Sequence, residues 1–221
     1  MYALEQILMV NRSFVQNSSN EFKRTAHLIG KVPRKRLAIF TCMDTRLVDF
    51  LEPALGIARE DAVIIKNAGN TITGSFEATI RSLVIAIFEL GVQEIMVIGH
   101  EDCGVAHSES KGIIVKMRDR GISYDAIKMI QEEFEHWIDT FHRPCENVRE
   151  VVGKIRYNPL IPKDVPVHGL IFDPHLGELT VLVDGYQFVS NNKLSTNSST
   201  TQTNIRNSAG LQQEYQGGNK G

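Results

Sequence analysis

Residues 75–99 read SFEATIRSLVIAIFELGVQEIMVIG, and the change of rhythm inside them decides the fold. Ile80, Leu83, Val84 and Ile87 fall at i, i+3, i+4 and i+7, one stripe of a helix that Ser75 can cap and Gly91 can end. Directly after it, Glu94-Ile95-Met96-Val97-Ile98-Gly99 holds the short apolar run Ile95 to Ile98, the pattern of a strand covered on both faces. Upstream, Leu37-Ala38-Ile39-Phe40-Thr41-Cys42 has the same character behind the charges of Arg34-Lys35-Arg36, and residues 62–66 supply another strand. Between them, residues 47–55 can form a short helix that Pro53 makes irregular and Gly56 ends. Strand, helix, strand, helix, strand argues for parallel strands joined by right-handed crossovers, hence an α/β domain whose mostly parallel central sheet is flanked by helices.

Further along, residues 105–142 are helical in pattern with a break near Gly121, and Ser123 can cap the second part, which carries Ile127, Ile130, Phe134, Trp137 and Ile138. Residues 167–172 and 179–183 flank Asp173-Pro174-His175-Leu176-Gly177-Glu178 and read as two strands joined by a turn, an antiparallel pair at one sheet edge near the C-terminus. Residues 4–15 place Leu4, Ile7, Leu8 and Val15 on one helical stripe, so residues 1–35 are expected to form an N-terminal helical arm and residues 36–190 the α/β domain. Residues 191–221 hold few apolar side chains among Asn, Ser, Thr, Gln and Gly; too little surface can be buried to offset the ordering entropy, and a disordered polar tail is expected.

The chain as a whole is 42% hydrophobic and 23% charged, which fits a soluble globular protein rather than a disordered or fibrous one. Lys+Arg 24 against Asp+Glu 26 leaves a net charge of −2 with no dense basic block, so nucleic acid is not expected as a partner. The apolar runs fall far short of the roughly 20 residues that cross a bilayer, and residues 1–10 carry Glu5 without a positive leader, so neither a membrane span nor a signal peptide is expected. The three cysteines, Cys42, Cys103 and Cys145, are too few to staple such a fold; a cytoplasmic protein with thiols free for metal or catalysis is the expectation.

In an open parallel sheet, ligands collect beyond the carboxyl ends of the strands. The first strand ends at Cys42-Met43-Asp44-Thr45-Arg46 and the third at His100-Glu101-Asp102-Cys103-Gly104, so Cys42, His100 and Cys103 can meet although 58 positions separate the first two. Two thiolates and an imidazole suit Zn²⁺, with a fourth position open to water. Taken alone, His-x-x-Cys is a weak signal and a buried Cys is commonly inert packing; both halves at strand ends are harder to assign to the core. Gly99 and Gly104 are expected to allow close backbone approach there. His142-x-x-Cys145 repeats the spacing but follows a helix, contains Pro144 and has no third ligand in prospect, so it reads as coincidence. No Gly-x-Gly-x-x-Gly or Gly-x-x-x-x-Gly-Lys stretch occurs, and no nucleotide site is expected.

Cys42-x-Asp44-x-Arg46 followed by His100-x-x-Cys103-Gly104 resembles the signature of the β-class carbonic anhydrases, and the likeness extends through Lys66-Asn67-Ala68-Gly69-Asn70 and, more loosely, from residue 1 to about residue 185. The resemblance implies Cys42, His100 and Cys103 as zinc ligands, Asp44 and Arg46 as a catalytic dyad, and Asn67, Ala68, Gly69 and Gly104 as pocket residues. It implies reversible hydration of carbon dioxide to bicarbonate through zinc-bound hydroxide, and a homodimer or dimer of dimers in which the N-terminal arm embraces the partner subunit. Two thiolates cancel the ion's charge and acidify its water less than neutral histidines would, so an acceptor is useful. Asp44 can take that hydrogen bond while Arg46 holds its carboxylate bidentately; if Arg46 swings away, Asp44 can become the fourth ligand and close the site. The plain alternative is a solvent-facing ion pair.

His107 is a candidate proton shuttle, weighed against an exposed surface role. Glu101 and Asp102 depart from relatives with small polar residues between the ligands, and read either as solvated loop charges or as a brake on bicarbonate. Pro33 stands where plant-type members carry a glutamine nine residues before the first Cys. Two other functions stay open: hydrolysis of a carbon dioxide analogue such as carbon disulfide or carbonyl sulfide, and a catalytically silent zinc-binding assembly protein.

Overall fold

A computed structural model describes residues 3–17, 30–141 and 143–189. The expected tail at 191–221, part of the expected arm and His142 lie outside the described residues. In chain order the elements are helix α1 (Ala3–Asn17), strand β1 (Leu37–Cys42), helical turn α2 (Leu51–Ala54), β2 (Ala62–Asn67), α3 (Ala78–Phe88), β3 (Glu94–His100), α4 (Ser110–Asp119), α5 (Tyr124–Thr140), α6 (Pro144–Tyr157), β4 (Val167–Phe172) and β5 (Leu179–Val183).

The strands form one sheet in the order β2-β1-β3-β4-β5. β1 pairs in parallel with both β2 and β3, β3 pairs in parallel with β4, and β5 closes the edge antiparallel to β4. Every residue of β1 and β4 is buried, as their unbroken apolar sequences require, because helices cover both faces. One face carries Phe40, Val97 and Val167 against Leu83 of α3 and Val148, Val152 and Ile155 of α6. The other carries Ile39, Ile98 and Phe172 against Leu47, Leu51 and Phe141, and this second cluster includes Cys42 and Cys103. From β1 the chain crosses to β2 on one side, then returns to place β3 on the other, so the connections diverge at the carboxyl ends of β1 and β3. That divergence opens a crevice between those two strands.

Local departures from the sequence reading have local causes. Ser75 does not cap α3: the Glu77 carboxylate does, accepting from the backbone N–H of Thr79 and Ile80 at 2.9 and 3.1 Å. The helix expected over 47–55 splits into a 3₁₀ turn (Thr45–Leu47) and α2, with Asp49 between them in the left-handed region at φ 55°. Ser123 does cap α5, accepting from the Ala126 N–H. α6 is absent from the sequence reading, yet its signal is present: Pro144 in the first turn, where its missing N–H costs nothing, then Val148, Val151, Val152 and Ile155 at helical spacing, all buried.

Gly99 admits α6 rather than a ligand. A Cβ there would stand 2.6 Å from Val148 Cγ2 and 3.1 Å from Ile171 Cδ1. Gly99→Ala is therefore expected to destabilise the fold by about 1–3 kcal/mol through overpacking, read as a lower denaturation midpoint. Adding Val148→Ala should recover part of the loss, since it removes the clashing methyl groups; an unaffected single variant would contradict this packing. Gly104 has nothing within 4 Å of its missing Cβ, so the expected close approach does not occur there.

The stripe of α1 lies in a helix that buries none of its residues, leaving Leu4, Ile7, Leu8 and Phe14 exposed. Among the described residues no helix is long and apolar enough to cross a membrane.

Candidate metal centre

Cys42 ends β1, His100 ends β3, and the tight loop after β3 returns Cys103 to the same point at the crevice. All three side chains are buried, and their ligand atoms lie within 4.8 Å of one another. Among the described residues this is the cluster of Cys, His and acidic groups able to hold a metal ion. The two sulfurs are 3.9 Å apart, well beyond the roughly 2.05 Å of a disulfide. His100 Nδ1 donates to the Glu101 carbonyl at 2.8 Å; that partner can only accept, so the ring proton sits on Nδ1 and Nε2 keeps a free lone pair. Nε2 is buried and has no hydrogen-bond partner. A buried polar atom left unpaired is costly, and here it faces two thiols.

Backbone donors converge on the sulfurs. Asp44 and Gly69 N–H groups point at Cys42, and those of Val105 and Ala106 at Cys103. Without an ion the thiols behave as one acid sharing a proton. The hydrogen bond from Cys103, against the cost of burial, lowers Cys42 to about 4, while that same bond together with burial pushes Cys103 up. Such a pair gives up its first proton readily and its second only to a competing cation.

Asp44 begins the 3₁₀ turn that follows β1, and its carboxylate accepts the Arg46 backbone N–H at 2.9 Å through Oδ1. The Arg46 guanidinium then grips it bidentately, Nε to Oδ1 at 3.1 Å and Nη2 to Oδ2 at 2.9 Å. These bonds hold Asp44 at about 2, ionised throughout the neutral range, and raise Arg46. Oδ1 thereby fills both lone pairs, whereas Oδ2 fills one and lies 3.8 Å from His100 Nε2. The spare acceptor of the pair is next to the unpaired nitrogen.

Asp102 is not a free loop charge. Its Oδ2 accepts from Arg46 Nη1 at 2.7 Å, its carbonyl accepts from Arg46 Nη2 at 2.6 Å, and its Oδ1 lies 3.2 Å from His107 Nε2. Arg46 foremost, and also His107, holds its carboxyl below the usual carboxylate range. The acidic residue itself was visible in the sequence, but no spacing rule links it to an arginine 56 positions away. His107 closes the short 3₁₀ turn Gly104–His107 and is exposed.

The expected pocket residues divide. Gly69 reaches the cluster through its N–H, holds φ 68°, and has the Phe141 ring 3.1 Å from where a Cβ would stand. Asn67 spends its side chain on the turn, donating to the Thr71 carbonyl and accepting the Thr71 N–H. Asn67 and Ala68 line a cavity of about 470 Å³ with Thr71, Ile130, Phe134 and Trp137, and none of the three clustered ligand residues lines it. Gly104 follows Cys103 and offers its carbonyl to the Ser108 hydroxyl.

Residues 37–179 match the family described as carbonic anhydrase. The Bacillus subtilis protein named "Putative carbonic anhydrase YtiB" is 39% identical over 189 residues, covering 84% of this chain and 99% of its own. The crystal structure of β-carbonic anhydrase isoform I from Trichomonas vaginalis superposes with a TM-score of 0.77 at 38% identity, over 84% of this chain and 100% of that one. A carbon disulfide hydrolase from Acidithiobacillus thiooxidans is 31% identical over 162 residues, 68% of this chain and 79% of its own. With this fold, this cluster at the crevice and these relatives, the chain belongs to the β-class carbonic anhydrase family.

Proposed function

We propose that this protein is a zinc enzyme that reversibly hydrates carbon dioxide to bicarbonate and a proton. Cys42, His100 and Cys103 are the ligands in this reading, and Asp44 with Arg46 is the catalytic dyad. The observation that carries it is the unpaired, buried Nε2 of His100 facing two thiols, with the free lone pair of Asp44 Oδ2 3.8 Å away. The donor set fits the ion: two thiolates at about 2.3 Å from a tetrahedral zinc stand about 3.8 Å apart, and the sulfurs here are 3.9 Å apart. Bound zinc supplies Lewis-acid activation of a water molecule, easing loss of its proton.

The chain's own groups do the rest. Backbone N–H groups of Asp44, Gly69, Val105 and Ala106 stabilise sulfur as thiolate. The Nδ1–H bond to the Glu101 carbonyl holds the imidazole in the tautomer that presents Nε2. Asp44, kept ionised and fixed by Arg46, accepts a hydrogen bond at Oδ2 and so orients the attacking oxygen's remaining lone pairs toward carbon dioxide. The exposed apolar residues of α1 are best used against a second copy of the chain, giving a homodimer or a dimer of dimers, and the free thiols suit a reducing compartment such as the cytoplasm.

Hydrolysis of carbon disulfide is the second reading, favoured by the hydrolase relative at 31% identity. Stopped-flow carbon dioxide hydration and carbon disulfide hydrolysis, measured on one preparation with metal analysis and light scattering, separate the two. The expected result is about one zinc per chain, a multiple of the dimer mass, and hydration without carbon disulfide turnover. Turnover of carbon disulfide alone would establish the second reading, and stoichiometric zinc with neither activity would leave a zinc-binding assembly protein.

A further inference from the structure

We propose that Asp102 positions the dyad: it clamps the outer edge of the Arg46 guanidinium, so that Arg46 holds Asp44 beside the ligand cluster but short of coordinating, and the fourth coordination position stays free for small molecules. The inference rests on the reading of the cluster as a catalytic metal site and adds a residue that controls whether that site is open.

The guanidinium lies between two carboxylates. Its Nε and Nη2 face Asp44, while Nη1 reaches Asp102 Oδ2 at 2.7 Å and Nη2 also reaches the Asp102 carbonyl at 2.6 Å. Planar and five-donor, the group is fully directed only when both edges are engaged. Asp102 takes φ 52°, the left-handed region that a non-glycine residue adopts at a cost and that Asp and Asn tolerate best. In this conformation the carbonyl and the side chain of a single residue meet the same guanidinium. His107 Nε2, 3.2 Å from the other carboxylate oxygen, holds the Asp102 side chain from the far side. Because Asp102 stands between His100 and Cys103, the clamp is built into the ligand loop itself.

The consequence concerns Asp44. Its Oδ2 is 3.8 Å from His100 Nε2, so a modest rotation brings a carboxylate oxygen to the ion. The bidentate grip of Arg46 opposes that rotation, but the Arg46 side chain is 36% exposed, and an exposed pair with nothing behind it is weak. Asp102 supplies the second anchor. Without it, Arg46 samples other orientations and Asp44 competes for the ion.

The test uses full-length protein loaded with Co²⁺ and titrated with azide, read by the visible absorption of the metal. Asp102→Gly keeps the backbone geometry and removes the clamp; Asp102→Asn keeps both the geometry and an acceptor oxygen. Azide should bind Asp102→Gly about tenfold or more weakly, since apparent affinity falls with the fraction of open sites, and Asp102→Asn within about threefold of the parent. In an Asp44→Ala background, adding Asp102→Gly should cause no further loss, because the competing carboxylate is gone. Unchanged azide affinity in Asp102→Gly, or a loss that persists without Asp44, overturns the positioning role while leaving the metal site intact. A parent protein that binds cobalt without any azide response instead overturns the catalytic-site reading, and the role of Asp102 with it.

Discussion

Cys42→Ala is expected to leave the purified protein almost free of zinc. The substitution takes one of three donors from a cluster in which His100 Nε2 has no other partner and the second thiol, Cys103, already holds its proton strongly. Loss of a residue that merely orients a ligand commonly weakens metal binding 10–100-fold, so loss of a ligand should exceed roughly 100-fold. Two backbone N–H groups, those of Asp44 and Gly69, also lose their acceptor. Since metal binding is linked to folding, chelation should lower the melting temperature of the parent and leave that of the variant unchanged. Cys103→Ala should behave alike. Metal analysis decides the matter: stoichiometric zinc in both variants would remove these cysteines from the ligand set.

Asp44→Asn should retain zinc and lose turnover, with kcat/KM for carbon dioxide hydration falling roughly 100-fold or more, the range for a misplaced proton acceptor or orienting group. The reason lies in the lone-pair count. Arg46 directs its backbone N–H, Nε and Nη2 at the carboxylate, which meets all three and has one lone pair left beside His100 Nε2. An amide of the same shape has one accepting oxygen and one NH₂ group, so either the arginine or the reacting centre faces a donor instead of an acceptor. Zinc content equal to the parent's together with the lost rate identifies a group that acts on the chemistry. A rate equal to the parent's would show that Asp44 and Arg46 are only a surface ion pair.

Much of the fold is readable along the chain because burial leaves a local mark. The apolar runs within Leu37–Cys42 and Glu94–His100 reflect cover on both faces, and the stripe from Ile80 to Ile87 reflects one face packed on the sheet. α6 carries an equally legible stripe, Val148, Val151, Val152 and Ile155 behind a Pro in the first turn, within a segment whose start repeats the His-x-x-Cys spacing. Gly99 illustrates the opposite case. A glycine beside His100 reads as room for an approach to the site, whereas the missing side chain makes room for Val148 of α6.

Residue type and strand-end position single out Cys42, His100 and Cys103, because soft ligands have restricted chemistry and parallel strands deliver their carboxyl ends to one side, whereas Asp44 and Arg46 stand out only through the resemblance of their spacing to the family signature. Only the folded chain decided that β1 and β3 are neighbours, that their connections part there, and that Gly69, Val105 and Ala106 turn their N–H groups to the sulfurs. It alone joined Arg46 to Asp102 through a left-handed residue. The physical division is one of range. Periodicity and donor chemistry belong to single residues and their near neighbours, while strand order, backbone dihedrals and hydrogen bonds across 56 positions are settled by the packing of the whole domain.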